Sequence, residues 1–349
     1  MTSIFSSTTV RRIASSLPQR IRVVSSSASS VGATQNNFYT RQRQVGITPP
    51  SASFATRAKP KTSPTLTSTM ADHILTLSCP DKPGIVHAVT GLLAGQKLNI
   101  LDLQQFSDPV SEKFFMRVHF GHADSLASLD APFAQLAADM KMEYDIRPKA
   151  QKPKVMIMVS KQGHCLNDLL FRTKTQQLGI DVPLIVSNHT TYESLAKSYD
   201  IDFHHLPVTA DTKLEQEKQI LDLIAQHKID LVVLARYMQV LTPGLCTAMS
   251  GRIINIHHSF LPSFKGAKPY HQAFERGVKI IGATAHFVTA DLDEGPIIEQ
   301  RVVRVDHAMS PKELVDEGSN VESQVLAAAV KWWSEKRVFI NGPKTVVFN

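Results

Sequence analysis

The first 71 residues contain no aspartate or glutamate. Nine of the chain's 38 Lys and Arg fall there: Arg11, Arg12, Arg20, Arg22, Arg41, Arg43, Arg57, Lys59 and Lys61. Past that stretch 29 basic residues face 31 acidic ones, a net of −2, so the formal charge of +7 belongs to the tail. A nucleic-acid partner would need a basic face on the remainder, and the balance of charge argues against one. Cysteine is also scarce: Cys79, Cys165 and Cys246 are widely spaced, odd in number and without a CxxC pair. That pattern argues against a disulfide framework or a structural zinc site and fits a reducing compartment, with each thiol a small buried hydrophobe. No apolar run reaches the roughly eighteen residues that would span a bilayer.

What is present in the tail is Ser, Thr and Arg, the composition of an organelle transit peptide, here over residues 1–70. Thr9 to Val24 can form a short amphipathic helix, and its arginines favour the mitochondrial matrix over the chloroplast. Met70 offers a second start that would give a cytosolic form.

A chain of 349 residues leaves room for two domains beyond that leader. Residues 71–148 read β-α-β-β-α-β, a ferredoxin-like plan. His73–Cys79 is a strand ending in the turn Pro80-Asp81-Lys82-Pro83-Gly84; the helix after it carries Ile85, Val86, Val89, Leu92 and Leu93 at 3.6 spacing. Strands at Asn99–Phe106 and Lys113–Phe120, a helix at Ser125–Lys141 and a strand at Met142–Arg147 complete the unit. Residues 149–153 are a polar, proline-bracketed linker. From Lys154 onward strand and helix alternate, with the strand Asp230–Ala235 apolar after its first residue, so 154–349 reads as an α/β domain with a doubly wound, mainly parallel sheet. Capping boxes are expected at Thr212 with Glu215 and at Ser310 with Glu313, the latter with Pro311 at the first helical position. Trp332 and Trp333 are expected to cap the core.

The chemistry is expected at the carboxyl ends of those strands. Strand alternation puts Asn255 and His257 on one face, where Arg252–Ile256 runs out into a loop. The strand Lys279–Val288 ends in a turn that carries Asp293, just before Gly295 and Pro296. An amide, an imidazole and a carboxylate at adjacent strand ends suit acyl transfer: water attack builds an oxyanion that needs fixed donors, and a His–Asp pair can order or deprotonate the water and relay its proton. No thiol or serine nucleophile is required. The pairs His204-His205 and His257-His258 lack a third ligand at zinc-like spacing, so no metal is expected. His258, His271 and His286 are read as structural, and His164 in the first βα loop as a residue facing the same sheet edge, toward substrate or water.

The wording around these residues is far more specific than their spacing. CPDKPGIV resembles the opening of ACT domains, the small-molecule sensor modules. The run NIHHSFLPSFKGAKPYHQAFERGVKIIGATAHFV, followed by DLDEGPII, resembles the folate-dependent formyltransferase family, and within it most closely the formyltetrahydrofolate deformylases, over His73 to Asn349. The resemblance implies hydrolysis of 10-formyltetrahydrofolate to tetrahydrofolate and formate, by Asn255, His257 and Asp293, without a cofactor. It implies a folate pocket at Met238, Gln239, Val240 and Leu241, walled by Val288 and Thr289. Lys265 and Lys268 could meet the folate glutamate tail. For the ACT unit it implies an amino-acid effector, glycine or methionine, at Asp81, Gly84, Ile85 and Asn99, and edge-to-edge pairing into a homo-oligomer.

Departures from the pattern bear on the acceptor. Where transferases acting on glycinamide ribonucleotide carry a Gly-Asn-Gly-Ser-type phosphate loop, this chain has Ser160-Lys-Gln-Gly-His-Cys-Leu-Asn-Asp168, with one glycine. His258 replaces their proline and Gln239 their arginine. A glycinamide ribonucleotide formyltransferase is therefore the first rival, and a catalytically retired amino-acid sensor the second. Only about fifty residues follow Asp293, too few for the extra barrel of methionyl-tRNA formyltransferases.

Overall fold

The computed structural model describes residues 71–122, 126–262 and 269–349; the leader and Lys265 and Lys268 lie outside them. Strand β1 (Ala71–Pro80), helix α1 (Ile85–Gly95), β2 (Asn99–Asp108), β3 (Lys113–His122), α2 (Ala127–Met140) and β4 (Glu143–Pro148) form an antiparallel sheet ordered β2-β3-β1-β4. Alternate residues of β1 and β3, among them Leu75, Leu77, Met116 and Val118, turn inward onto Val89 and Leu93 of α1 and Phe133 of α2. This period-2 burial is what fixes the register: a slip by one residue would bring the polar face inward.

The second half begins with β5 (Lys154–Val159), α3 (His164–Lys174), β6 (Asp181–Ser187), α4 (Glu193–Ser198), β7 (Asp202–His205), α5 (Lys213–His227), β8 (Leu231–Leu234) and α6 (Pro243–Ala248). It continues through β9 (Ile253–His257), α7 (Pro269–Glu275), β10 (Ile280–Phe287), β11 (Ile297–Arg304), the long α8 (Pro311–Ser334) and a closing hairpin of β12 (Val338–Asn341) and β13 (Lys344–Val347). The sheet order is β11-β10-β9-β8-β5-β6-β7. The five strands from β9 to β7 are parallel, and β10 pairs antiparallel with both β9 and β11. Its strands are apolar on both faces because helices cover both: Ile157, Val159 and Ile254 pack toward Leu166 of α3 and Val325 of α8, while Met156, Met158 and Ile253 pack toward Ile220 and Ile224 of α5.

Two local expectations resolve differently. Ser310 and Glu313 make the reciprocal capping box at α8. Thr212 does not cap α5; its hydroxyl accepts instead from the Thr209 amide at 2.9 Å, a turn bond that competes with the cap. Strands β7, β11, β12 and β13 have no counterpart in the sequence reading. The closing hairpin joins the halves. Phe339 meets Phe115 edge-on at 5.7 Å, Asn341 donates to Asp108 at 2.7 Å, and the buried Arg117 donates to the Glu335 carbonyl at 3.1 Å.

Candidate active site

The carboxyl ends of β5, β6, β8 and β9 open into one cleft of about 760 Å³, lined by Ser160, Asn188, Arg236 and His257, among others. On β9 the side chains of Asn255 and His257 share the face of Ile253, and the neighbouring β10 adds His286 opposite Asn255 and Thr284 opposite His257. The sequence order suggested that Asp293 would sit at the end of an adjacent strand. It does follow β10, the neighbour of β9, but β10 runs antiparallel to β9 and ends with Phe287 opposite Ile254, away from His257. The loop after β10 instead folds back over the polar face of the sheet, anchored where the Val288 amide donates to Ile253 at 2.9 Å. Two residues permit the reversal. Asp293 takes a left-handed φ of 57°, which Asp tolerates better than most side chains. Gly295 has no alternative, since a Cβ there would overlap the Phe287 carbonyl oxygen.

The result is a compact polar cluster. Asp293 Oδ2 lies 3.3 Å from His257 Nδ1 and Oδ1 lies 3.7 Å from His286 Nε2. His286 Nδ1 lies 2.8 Å from the Phe287 carbonyl oxygen, and its Nε2 lies 3.2 Å from the Asn255 amide nitrogen. His286, read from sequence as structural, thus bridges Asn255 and Asp293. Hydrogen bonding to His257, and next to His286, holds the Asp293 carboxyl well below the usual carboxylate range, so it is ionised at neutral pH. His257 is 5 % exposed, and its Nε2 is buried without a hydrogen-bond partner among the described residues. His258 lies with its ring 5.3 Å from that of His257; burial, then the Arg236 charge, lowers its pKa to about 4 and keeps it neutral.

The proposed folate wall also lines the cleft. Met238, Gln239, Val240, Leu241, Val288 and Thr289 all reach it, and Met238 and Val240 are each 56 % exposed, an unusual degree for apolar side chains in a concave site. The segment is fixed from behind: the Met238 amide donates to Ser160 Oγ at 3.0 Å, the Lys213 ammonium to the Val240 carbonyl, and Thr242 to the buried Glu217 through its amide at 2.8 Å and its hydroxyl.

His164 is placed otherwise than expected. At the start of α3 it does not line the cleft but donates from Nε2 to Glu322 at 2.7 Å. Glu322, 1 % exposed, also accepts from the Tyr270 hydroxyl at 2.7 Å and lies 3.4 Å from Arg236 Nε. Burial alone would raise its pKa, but His164, the Arg236 charge and Tyr270 more than offset that and hold it below the ordinary value. His164, Cys165 and Glu322 offer ligand atoms within 4.8 Å of one another. They suit a metal poorly: Glu322 is committed to three donors, and burial pushes the Cys165 thiol far from its thiolate. Arg236, Tyr270 and Glu322 escaped the sequence reading, although Glu322 signalled itself as a charge on the apolar stripe of α8 beside Val321, Val325 and Ala329.

In the first half, Asp81 and Gly84 are exposed in the turn before α1, and Asn99 is exposed at the start of β2. Ile85 is not available as expected: its side chain is 2 % exposed in the core, so only its backbone could face an effector.

The sequence pattern of the formyl transferase family matches residues 153–330, and that of the ACT domain matches 73–138. The formyltetrahydrofolate deformylase of Corynebacterium sp. (strain P-1) is 52 % identical over 278 residues, 79 % of this chain and 97 % of the relative. The chain belongs to the formyltetrahydrofolate deformylase family. A solved deformylase from Burkholderia mallei agrees in fold throughout, with a TM-score of 0.78 and 52 % identity over 80 % of this chain and all of that one. A glycinamide ribonucleotide transformylase from Symbiobacterium toebii matches more narrowly, with a TM-score of 0.54 and 29 % identity over 57 % of this chain and 95 % of that one. The deformylase family therefore accounts for both halves of the chain.

Proposed function

We propose that this chain hydrolyses 10-formyltetrahydrofolate with Asn255, His257 and Asp293 as its catalytic residues. The observation that carries the assignment is the His257–Asp293 pair, 3.3 Å apart, whose outer ring nitrogen Nε2 is unpartnered in a cleft rimmed by exposed apolar side chains. The flat folate ring lies on Met238–Leu241, which brings the formyl carbon to His257. Water attacks that carbon and gives a proton to the His257–Asp293 pair. The oxyanion accepts a hydrogen bond from the Asn255 amide N–H that does not face His286. The C–N bond then breaks, and the pair returns the proton to the departing folate nitrogen. The chemistry uses side chains and water alone.

The test is formate and tetrahydrofolate release by the full chain with no amine present. Turnover supports the hydrolase. Transfer to glycinamide ribonucleotide without formate release would hand the site to the transferase rival, and silence with both acceptors would leave a sensor. The ACT unit is read as taking the carboxylate of an amino acid, glycine or methionine, at the backbone of Gly84, with pairing between copies of the chain; equilibrium dialysis with either amino acid and sedentation-independent mass measurement by light scattering check both. Residues 1–70 are read as a mitochondrial leader, checked by fusing them to a fluorescent protein.

A further inference from the structure

One fold serves this chain and the glycinamide ribonucleotide transformylase it resembles, so something specific must make water the acceptor here. The cleft is built of two unlike parts. The part at Met238, Val240 and Leu292 is apolar and exposed. Beyond His258 the lining is a charged network closed on itself. Arg236 donates from Nε to Gln162 Oε1 at 2.8 Å and from Nη2 to the same oxygen, and its Nε lies 3.4 Å from Glu322. Tyr270 and His164 complete Glu322. His258 joins network to triad, with ring centroids 5.3 Å from His257 and 6.4 Å from Tyr270.

Arg236 is one of three groups that compensate the buried Glu322, and its backbone needs no side chain. Its φ of 64° is a conformation glycine takes without strain. Its guanidinium is buried to 6 % exposure, and Nη1 has no partner among the described residues. A buried ion pair is weak evidence for stability, and an orphaned charged donor opposes it. What the side chain does accomplish is to occupy space: Arg236, Gln162, Tyr270 and Glu322 all line the cleft that holds His257.

Resting on the deformylase reading, we propose that Arg236 is the specificity-determining residue that reserves the formyl group for water. Its guanidinium, tied to Gln162 and Glu322, fills the part of the cleft through which an amine would approach the formyl carbon. Water passes; a substituted amine does not. Were an amine admitted, the same carbon would lose the folate C–N bond and gain a new C–N bond, with the amine's proton passing to the folate nitrogen.

The experiment uses the full chain, 10-formyltetrahydrofolate and glycinamide as the probe amine, and reads formate and N-formylglycinamide together. Wild type is expected to give formate alone, with or without glycinamide. Arg236→Gly, which suits the left-handed backbone, is expected to raise the ratio of transfer to hydrolysis by about tenfold or more, and Arg236→Lys to restore hydrolysis as the main outcome. Glu322→Gln, which loosens the tie without opening the backbone, should move the ratio the same way by less, and serves if the glycine variant does not fold. An unchanged ratio in both variants overturns the proposal. So does a folded Arg236→Gly that makes neither product, since that outcome would place Arg236 in the hydrolytic machinery itself. The deformylase reading stands or falls separately, on formate release by wild type without amine.

Discussion

The two halves of the molecule treat polar groups differently. In the four-stranded half His73 and Arg117 are the buried polar or charged side chains among the described residues, and Arg117 donates to the Glu335 carbonyl at the end of α8. In the seven-stranded half Ser160, Arg236, His257, Ser259, Thr284, His286 and Glu322 are buried at or beside one cleft, and Ser187, Gln216, Glu217 and Asn341 are buried away from its lining. Burying such groups opposes folding unless each is hydrogen-bonded. The first half is therefore an apolar frame, tuned for shape, while the second concentrates its unfavourable burial where chemistry is read. Substitutions should separate accordingly: polar changes in the cleft act on rate, and apolar changes in the frame act on stability.

The largest effect is expected from Asp293→Asn. It keeps the shape of the loop but removes the charge that accepts from His257, and the rate of formate release per folded molecule should fall on the order of a thousandfold, alongside a loss of stability from the missing carboxylate. A large loss of stability at an unaltered rate per folded molecule would erase the contrast between the halves. The converse substitution is Phe133→Ala. Phe133 is fully buried in the frame and meets Tyr144 at a ring distance of 4.8 Å. Its removal should cost about 3–5 kcal/mol of stability, with formate release per folded molecule preserved; a rate loss out of proportion to unfolding would show that the frame acts on the cleft.

The same contrast explains what could be read from sequence. The frame was legible because period-2 and period-3.6 patterns report burial directly, and Leu75, Leu77, Val89 and Leu93 all turn inward as their spacing says. Asn255 and His257 were placed on one face by the same alternation. Asp293 was placed near them in the turn after the next strand, but its actual route, a loop folding back over an antiparallel pair, depends on strand direction that no local pattern encodes. The Arg236–Glu322 contact joins residues 86 positions apart, so neither residue could be recognised as half of a pair. His164 was assigned to the cleft because it follows the first strand, yet the buried carboxylate of Glu322 pulls it away. Small elements such as β7 and the closing hairpin are too short to carry a period.

A smaller effect, on the cleft side, concerns pH. His258 faces Arg236, Glu322, His257 and Asp293, and its folded pKa is about 4 against an ordinary 6.5. Between those values the unfolded chain binds a proton that the folded chain refuses, so stability falls as pH drops from about 6.5 toward 4, by up to about 3 kcal/mol. Asp293 adds its own loss only below its ordinary value of 3.8, outside that window. Denaturation midpoints of His258→Asn should therefore lie on a flatter pH profile than those of wild type, and parallel profiles would mean that His258 is more hydrated than its burial implies.

The smallest expected effect belongs to the frame and tests whether its turn stands alone. Gly84 has a φ of 94°, and a Cβ placed there meets no atom within 4 Å. The cost of Gly84→Ala is then backbone strain without overlap, about 1 kcal/mol, read as a small shift of the denaturation midpoint. The value of the measurement lies in its upper bound. With open space around the turn a single chain offers no mechanism for a loss of several kcal/mol, so a loss of that size would mean that the space is filled in solution. A second copy packed against the turn would make the loss depend on protein concentration; an amino acid held at the Gly84 backbone would make it depend on added glycine or methionine.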